Sequence, residues 1–216
     1  MDTASQRIAL VIGGSGLIGK ILIQKLLESD KYTRVRVLVR SKFSLQHPKL
    51  EVIIFNFDTP DMNLIVADDV YCCLGTTMKK AGSKGDFYKV DYLYPIQTAE
   101  AAFKNGTKRF SIVTSMGADA TSVFYYNQVK GEVEEALKKI KFESLFIFRP
   151  SLLLGKRPET RLGEKIGERL AKLFKPIIPS KYKAIEAEKV AKAMLSITTS
   201  SIKGTAVYES DVLQEF

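Results

Sequence analysis

The segment RFSIVTSMGADATSVFYYNQVKGEVEEAL carries three side chains suited to proton transfer: Ser115, Tyr126 and Lys130. Tyr126 and Lys130 lie four residues apart, so a helix sets both on one face. An ammonium beside a phenol favours the phenolate and eases proton transfer near neutral pH. Ser115, just past a strand, is placed to hydrogen-bond a substrate oxygen. Tyr125 adjoins Tyr126 but has no lysine four residues on, and it reads as a pocket or packing residue. Many long helices carry Tyr and Lys at this spacing by chance. What gives this pair weight is its place after a strand in a repeating strand and helix pattern.

A second chemistry is written in IALVIGGSGLIGKILIQKLL, where Gly13, Gly16 and Gly19 fall at the turn from a strand into a helix. Glycine there permits a tight bend, close approach of backbone N–H groups to a pyrophosphate, and close packing of helix on strand. The free N–H groups and the macrodipole of the helix start favour an anion. The cofactor-binding loop is therefore Gly13, Ser15, Gly16, Leu17, Ile18 and Gly19. Roughly 20 residues past the glycines, an acidic side chain would bond the ribose 2′-hydroxyl of NAD. The residues present are VRVLVRSK, in which Arg40 and Ser41, with Lys42 beside them, suit a 2′-phosphate and bring no carboxylate to repel it. NADP(H) is thus expected over NAD(H). Asp58, in FNFDTP, is placed to accept from the adenine amine, although Asp before Thr-Pro is also ordinary turn chemistry. Leu74, Gly75 and Thr76, where the fourth strand ends, line the ribose side.

The elements that must position these residues are strands at Ile8 to Ile12, Val35 to Val39, Val52 to Phe55, Val70 to Leu74, Arg109 to Thr114 and Leu145 to Phe148. Most are continuous apolar runs, which means burial on both faces. Helical periodicity covers Leu17 to Leu27, Phe87 to Lys104, Val123 to Ile140 and Ala187 to Ile197, and Thr205 to Tyr208 suits a last strand at the sheet edge. Strands alternating with helices define an α/β fold: a doubly wound, mostly parallel Rossmann sheet flanked by helices. One domain over residues 1–216 is expected, with the looser, proline-bearing stretch 151–185 as a small cap on the substrate side.

Composition narrows the function classes. Hydrophobic residues at 45% and charged residues at 26% of 216 describe an ordinary globular chain. No apolar run reaches the roughly 20 residues that span a bilayer, and the polar start MDTASQR has no secretory leader pattern, so a cytoplasmic location is expected. The formal charge of +9 raises nucleic acid as a partner, but the basic residues are interleaved with Glu, as in KGEVEEALKK, and read as solvated helix faces. Cys72 and Cys73 are adjacent on a buried strand and read as packing residues. His47, the sole histidine, precedes Pro48 in a loop with no second ligand nearby, and no carboxylate cluster or HExxH pattern supports a metal site.

Taken together, GGSGLIG, CLGTT, the serine, Y-x-x-x-K and FRP resemble an atypical short-chain dehydrogenase/reductase. The stretches YCCLGTTMKKAGS, KVD, SMGADATSVFYYNQVKGEVE and FRPSLLLGKRPE are similar in order and spacing to its Tat-interacting-protein-like oxidoreductase branch. The resemblance runs from residue 8 to about residue 195. It implies Ser115, Tyr126 and Lys130 as the catalytic trio, the three glycines on the pyrophosphate, and Lys130 also on the nicotinamide ribose. Pro150 of FRP joins the cofactor-binding set. The expected activity is hydride transfer from NADPH to a small carbonyl substrate. The alternative is an NADP(H)-binding redox sensor or regulatory protein that acts through a protein partner without turnover. Two positions depart from the related pattern. Ile12 stands where the extended enzymes often have Thr, and Asp91 stands where many have an asparagine that completes a proton relay.

Overall fold

The computed structural model describes residues 7–155 and 179–216. The apolar runs become strands β1 (Arg7–Ile12), β2 (Tyr32–Val39), β3 (Leu50–Ile54), β4 (Asp69–Cys72), β5 (Arg109–Val113) and β6 (Ser144–Arg149). Two short strands follow, β7 (Leu153–Leu154) and β8 (Ile185–Glu186), then β9 (Gly204–Glu209). Seven of these form one parallel sheet in the order β3-β2-β1-β4-β5-β6-β9, and β7 pairs with β8 in a separate parallel ladder. The order reverses between β1 and β4, so the chain leaves the carboxyl ends of these neighbouring strands toward opposite faces. This opens a crevice at the switch point.

Helices cover both faces. On one side α1 (Leu17–Glu28) packs with a helix spanning Ala187–Thr198, whose Val190, Met194 and Ile197 join Leu22, Ile23, Leu26, Val11, Val35 and Val37. On the other pack α4 (Tyr94–Lys104) and α5 (Tyr125–Ile140), preceded in the chain by two short helices, α2 (Met78–Ala81) and α3 (Lys84–Tyr88). There Ala99, Ala102, Val133 and Leu137 pack on Leu10, Ile12, Val70, Ile112 and Ile147. The helix Ala187–Thr198 is α6, and Ser210–Leu213 forms a last turn, α7. Each fully buried Leu or Ile contributes about 1.5 to 3 kcal/mol, so these two apolar layers dominate the stability of the sheet.

Two boundaries differ from the sequence reading. The single helix expected over Phe87 to Lys104 is α3, a π-helical turn at Lys89–Leu93, and α4. Pro95 in the first turn of α4 has no N–H to give the carbonyl of Asp91 four residues back, so the helix widens just before it. The helix α5 begins at Tyr125 rather than Val123, leaving Val123 and Phe124 exposed in the loop before it. The late run becomes β9, which closes the sheet edge beside β6. Most of the expected cap lies outside the described residues, which resume at Pro179; its flanks are held together by the β7 and β8 pairing.

At the amino-terminal end of the sheet, away from the crevice, Asp69 is fully buried. It is ion-paired with Arg7 and Arg109 and accepts a hydrogen bond from Tyr32 at 2.5 Å. This cluster ties β1, β2, β4 and β5 at one point. Asp69→Ala leaves two arginines facing a buried pocket and is expected to cost about 3 kcal/mol, read as a lower urea midpoint. The thermal shift given by added dinucleotide should survive, because the cluster is remote from the crevice.

Candidate active site

The turn after β1 runs against the turn after β4. Gly13 has φ +77°, and a Cβ there would lie 2.4 Å from the Cys73 carbonyl carbon, so glycine is required on both conformational and steric grounds. A Cβ at Gly19 would lie 2.4 Å from the Gly13 oxygen, so this glycine lets α1 press onto the turn. Gly16 is the N-cap of α1 and donates its N–H to Gly13 O at 3.0 Å. No side chain caps the helix start and no acidic residue sits in its first turn. Ser15 and Gly16 are exposed, Leu17 is half-buried, and Ile18 is buried in the core beneath. Unpaired N–H groups, a helix dipole and a surface without side chains fit a pyrophosphate.

At the end of β2, Arg40, Ser41 and Lys42 are exposed and make no hydrogen bond or ion pair among the described residues. Asp58 faces the same region. Its Oδ1 accepts from the Tyr94 hydroxyl at 2.6 Å and lies 2.5 Å from Lys89 Nζ. The Lys89 ammonium and then the Tyr94 hydroxyl hold the Asp58 carboxyl below its ordinary range, with Arg40 adding to the effect. Leu74, Gly75 and Thr76 follow β4, and the Thr76 N–H donates to Asp91 Oδ2 at 2.9 Å. Pro150 is buried, and its carbonyl accepts from Met116 N at 3.0 Å.

The three reacting candidates lie past the carboxyl end of β5 and on α5. Ser115 Oγ is shielded from solvent with no hydrogen-bond partner among the described residues, an unmet need that a substrate oxygen would satisfy. Tyr126 is 37% exposed, its ring 5.5 Å from that of Phe87, and its hydroxyl makes no hydrogen bond to the described residues. Lys130 is 4% exposed and its Nζ lies 2.8 Å from Asp91 Oδ1. Burial alone would depress the ammonium, but the charges of Asp91 and Tyr126 outweigh it and raise Lys130 above the ordinary lysine range. Tyr125 turns away, donating to the Lys84 carbonyl at 3.0 Å, which matches its reading as a packing residue.

Two groups escaped the sequence reading. Arg149, within FRP, donates from Nε to Glu134 at 3.0 Å and from Nη1 to Glu209 at 3.1 Å, while Glu134 accepts from Thr114 at 2.6 Å. This network joins β5, β6, β9 and α5 directly beside Ser115. An arginine ending a central strand was the available signal. The second is Gly131, next to Lys130, where a Cβ would lie 2.0 Å from Ala120 N. It lets α5 seat against the loop between Ser115 and Tyr126. Cys72 is buried, and burial pushes its thiol up to about 12, in keeping with a packing role. His47 is exposed, and its Nδ1 accepts from Lys49 N at 3.1 Å within a turn. Among the described residues no three His, Cys, Asp or Glu side chains gather as metal ligands, and no helix is long and apolar enough to cross a membrane.

A parallel sheet that reverses order at a glycine turn, with an uncapped helix facing the crevice, defines a Rossmann dinucleotide-binding domain. Comparison with known proteins agrees. A family model described as NAD(P)H-binding matches residues 13–201. Protein HTATIP2 of Rattus norvegicus is 36% identical over 203 residues, covering 90% of this chain and 82% of that protein. Protein FMP52, mitochondrial, of Candida albicans is 32% identical over 203 residues, covering 90% of this chain and 89% of that protein. Among solved structures, MoeE5 in complex with UDP-glucose and NAD superposes with a TM-score of 0.72 at 15% identity, over 95% of this chain and 79% of that chain. The Bordetella bronchiseptica enzyme WbmG in complex with NAD gives 0.71 at 17%, over 97% and 74%. At such identities these two speak to the fold alone. The chain belongs to the NAD(P)H-binding family, within the atypical short-chain dehydrogenase/reductases that include HTATIP2 and FMP52. The expected cytoplasmic location is corrected by these relatives, since those from Candida albicans, Emericella nidulans and Eremothecium gossypii are named mitochondrial.

Gly131→Ala should force the Asp119 and Ala120 backbone away from α5. Overpacking of this kind costs about 1 to 3 kcal/mol, so differential scanning calorimetry should show a lower Tm. An unchanged Tm would mean that the loop before α5 is not seated as described.

Proposed function

We propose that the protein is an NADPH-dependent oxidoreductase that reduces a small carbonyl compound. The observation that carries this reading is Tyr126 beside the buried, positively charged Lys130 on one face of α5. Gly13, Ser15, Gly16, Leu17, Ile18 and Gly19 hold the pyrophosphate. Arg40 and Ser41 take the 2′-phosphate, Asp58 the adenine amine, and Leu74, Gly75, Thr76 and Pro150 line the way to the nicotinamide. When bound, the dinucleotide supplies the hydride that adds to the carbonyl carbon. Ser115 donates its hydroxyl hydrogen bond to the carbonyl oxygen, and Tyr126 gives its proton to the same oxygen as the C=O electron pair moves there. Lys130 offsets the charge left on the phenolate, and an ammonium has three N–H donors, enough to serve the nicotinamide ribose as well as Asp91. The paired Tyr126 and Lys130 support turnover over a purely regulatory role. The names of the fungal relatives support a mitochondrial site of action.

Arg40→Asp should weaken NADPH binding by roughly ten- to a hundredfold, the worth of a charge-assisted contact, while NADH affinity holds or improves. Titration calorimetry with both dinucleotides reads this directly; equal changes for the two would remove Arg40 from cofactor choice.

Tyr126→Phe should abolish carbonyl reduction across a panel of aldehydes and ketones and leave NADPH affinity within a few-fold of wild type. Reduction surviving within tenfold would place the proton donor elsewhere.

A further inference from the structure

Asp91, which departs from the related pattern, bridges two parts of the site. Asp91 is 1% exposed, a carboxylate surrounded by protein, and a burial of this kind is costly unless both oxygens are served. Oδ2 accepts from the Thr76 N–H at 2.9 Å, and Oδ1, which makes no hydrogen bond among the described residues, is compensated by charge, lying 2.8 Å from Lys130 Nζ. Gly75 lies directly alongside: a Cβ there would be 3.5 Å from Asp91 Oδ1 and 3.6 Å from Lys130 Nζ. Asp91 sits at the centre of the π-helical turn Lys89–Leu93, which Pro95 enforces. One side chain thus bridges the helix α5 that carries the reacting lysine and the loop after β4 that lines the cofactor path.

We propose that Asp91 is a positioning residue that sets Lys130 and the Leu74 to Thr76 loop as a single unit. This rests on the reading of Lys130 as a residue of the reaction centre. An asparagine could not replace it in full. The amide has one carbonyl oxygen, which serves either the ammonium or the Thr76 N–H, and its NH2 then faces the other donor. The groups facing Lys130 are Asp91 from the π-helical turn, Tyr126 from α5 itself and Cys72 from β4.

The test needs neither substrate nor turnover. In wild-type protein, the Lys130 Nζ resonance, assigned by comparison with Lys130→Arg, should titrate above the ordinary lysine range. In Asp91→Asn it should titrate lower than in wild type, and the Thr76 amide or the Lys130 titration, whichever the amide oxygen abandons, should change most. NADPH affinity should fall roughly tenfold, the worth of one charge-assisted contact. A wild-type Lys130 that titrates at or below the ordinary range overturns the proposal, and so does a folded Asp91→Asn with both Lys130 titration and Thr76 amide exchange unchanged. Should Asp91→Asn fail to fold, the wild-type titration decides alone. Absence of NADPH binding in wild type would count against the cofactor reading, whereas the Lys130 titration reports on the pair separately.

Discussion

The approach of the β1 turn to the end of β4 is the constraint on which the rest depends. With 2.4 Å between a would-be Gly13 Cβ and the Cys73 carbonyl carbon, only a backbone without a side chain fits. That closeness lets β1 and β4 pair in parallel while their following segments diverge, one into α1 and the other toward α2. The crevice, the exposed helix start and the loop after β4 are consequences of this single contact. A larger residue at position 13 would push the two strands apart.

On the far wall of the crevice the governing term is electrostatic. Lys130 is buried, and a buried ammonium is stable only with a compensating charge. Asp91 supplies it, and in doing so links the wall to the floor through Thr76. The Glu134, Arg149 and Glu209 network does similar service a few residues away, holding the strand ends that flank Ser115. The site is therefore held from beneath by buried charge pairs, while the Tyr126 and Ser115 hydroxyls are unengaged by the described residues.

The sheet was legible because β1, β4 and β6 are continuous apolar runs, which only a doubly covered parallel sheet accommodates. Gly13 and Gly19 were legible because a turn from strand to helix has few other solutions. The Tyr126 and Lys130 pair followed from helical spacing, which α5 preserves. The widened turn at Lys89–Leu93 was not seen, because an apolar stripe looks the same through one π turn. Pro95, inside an apparent helix, was the overlooked sign, and with it the route by which Asp91 reaches Lys130. Arg149 acts through a partner 60 residues away, Glu209, and Gly131 through the Asp119 and Ala120 backbone across the preceding loop, and no helix or strand periodicity reports such contacts. The cytoplasmic expectation failed for a different reason, since location is not written in the core or the site.

The central claim is that the nicotinamide end of the dinucleotide lies against Tyr126 and Ser115. Isotope-filtered nuclear Overhauser spectra of the NADPH complex address it without a substrate. The account predicts contacts from the nicotinamide C4 protons to the Tyr126 ring and the Ser115 methylene. A bound cofactor whose nicotinamide protons contact other residues and neither of these two would contradict it.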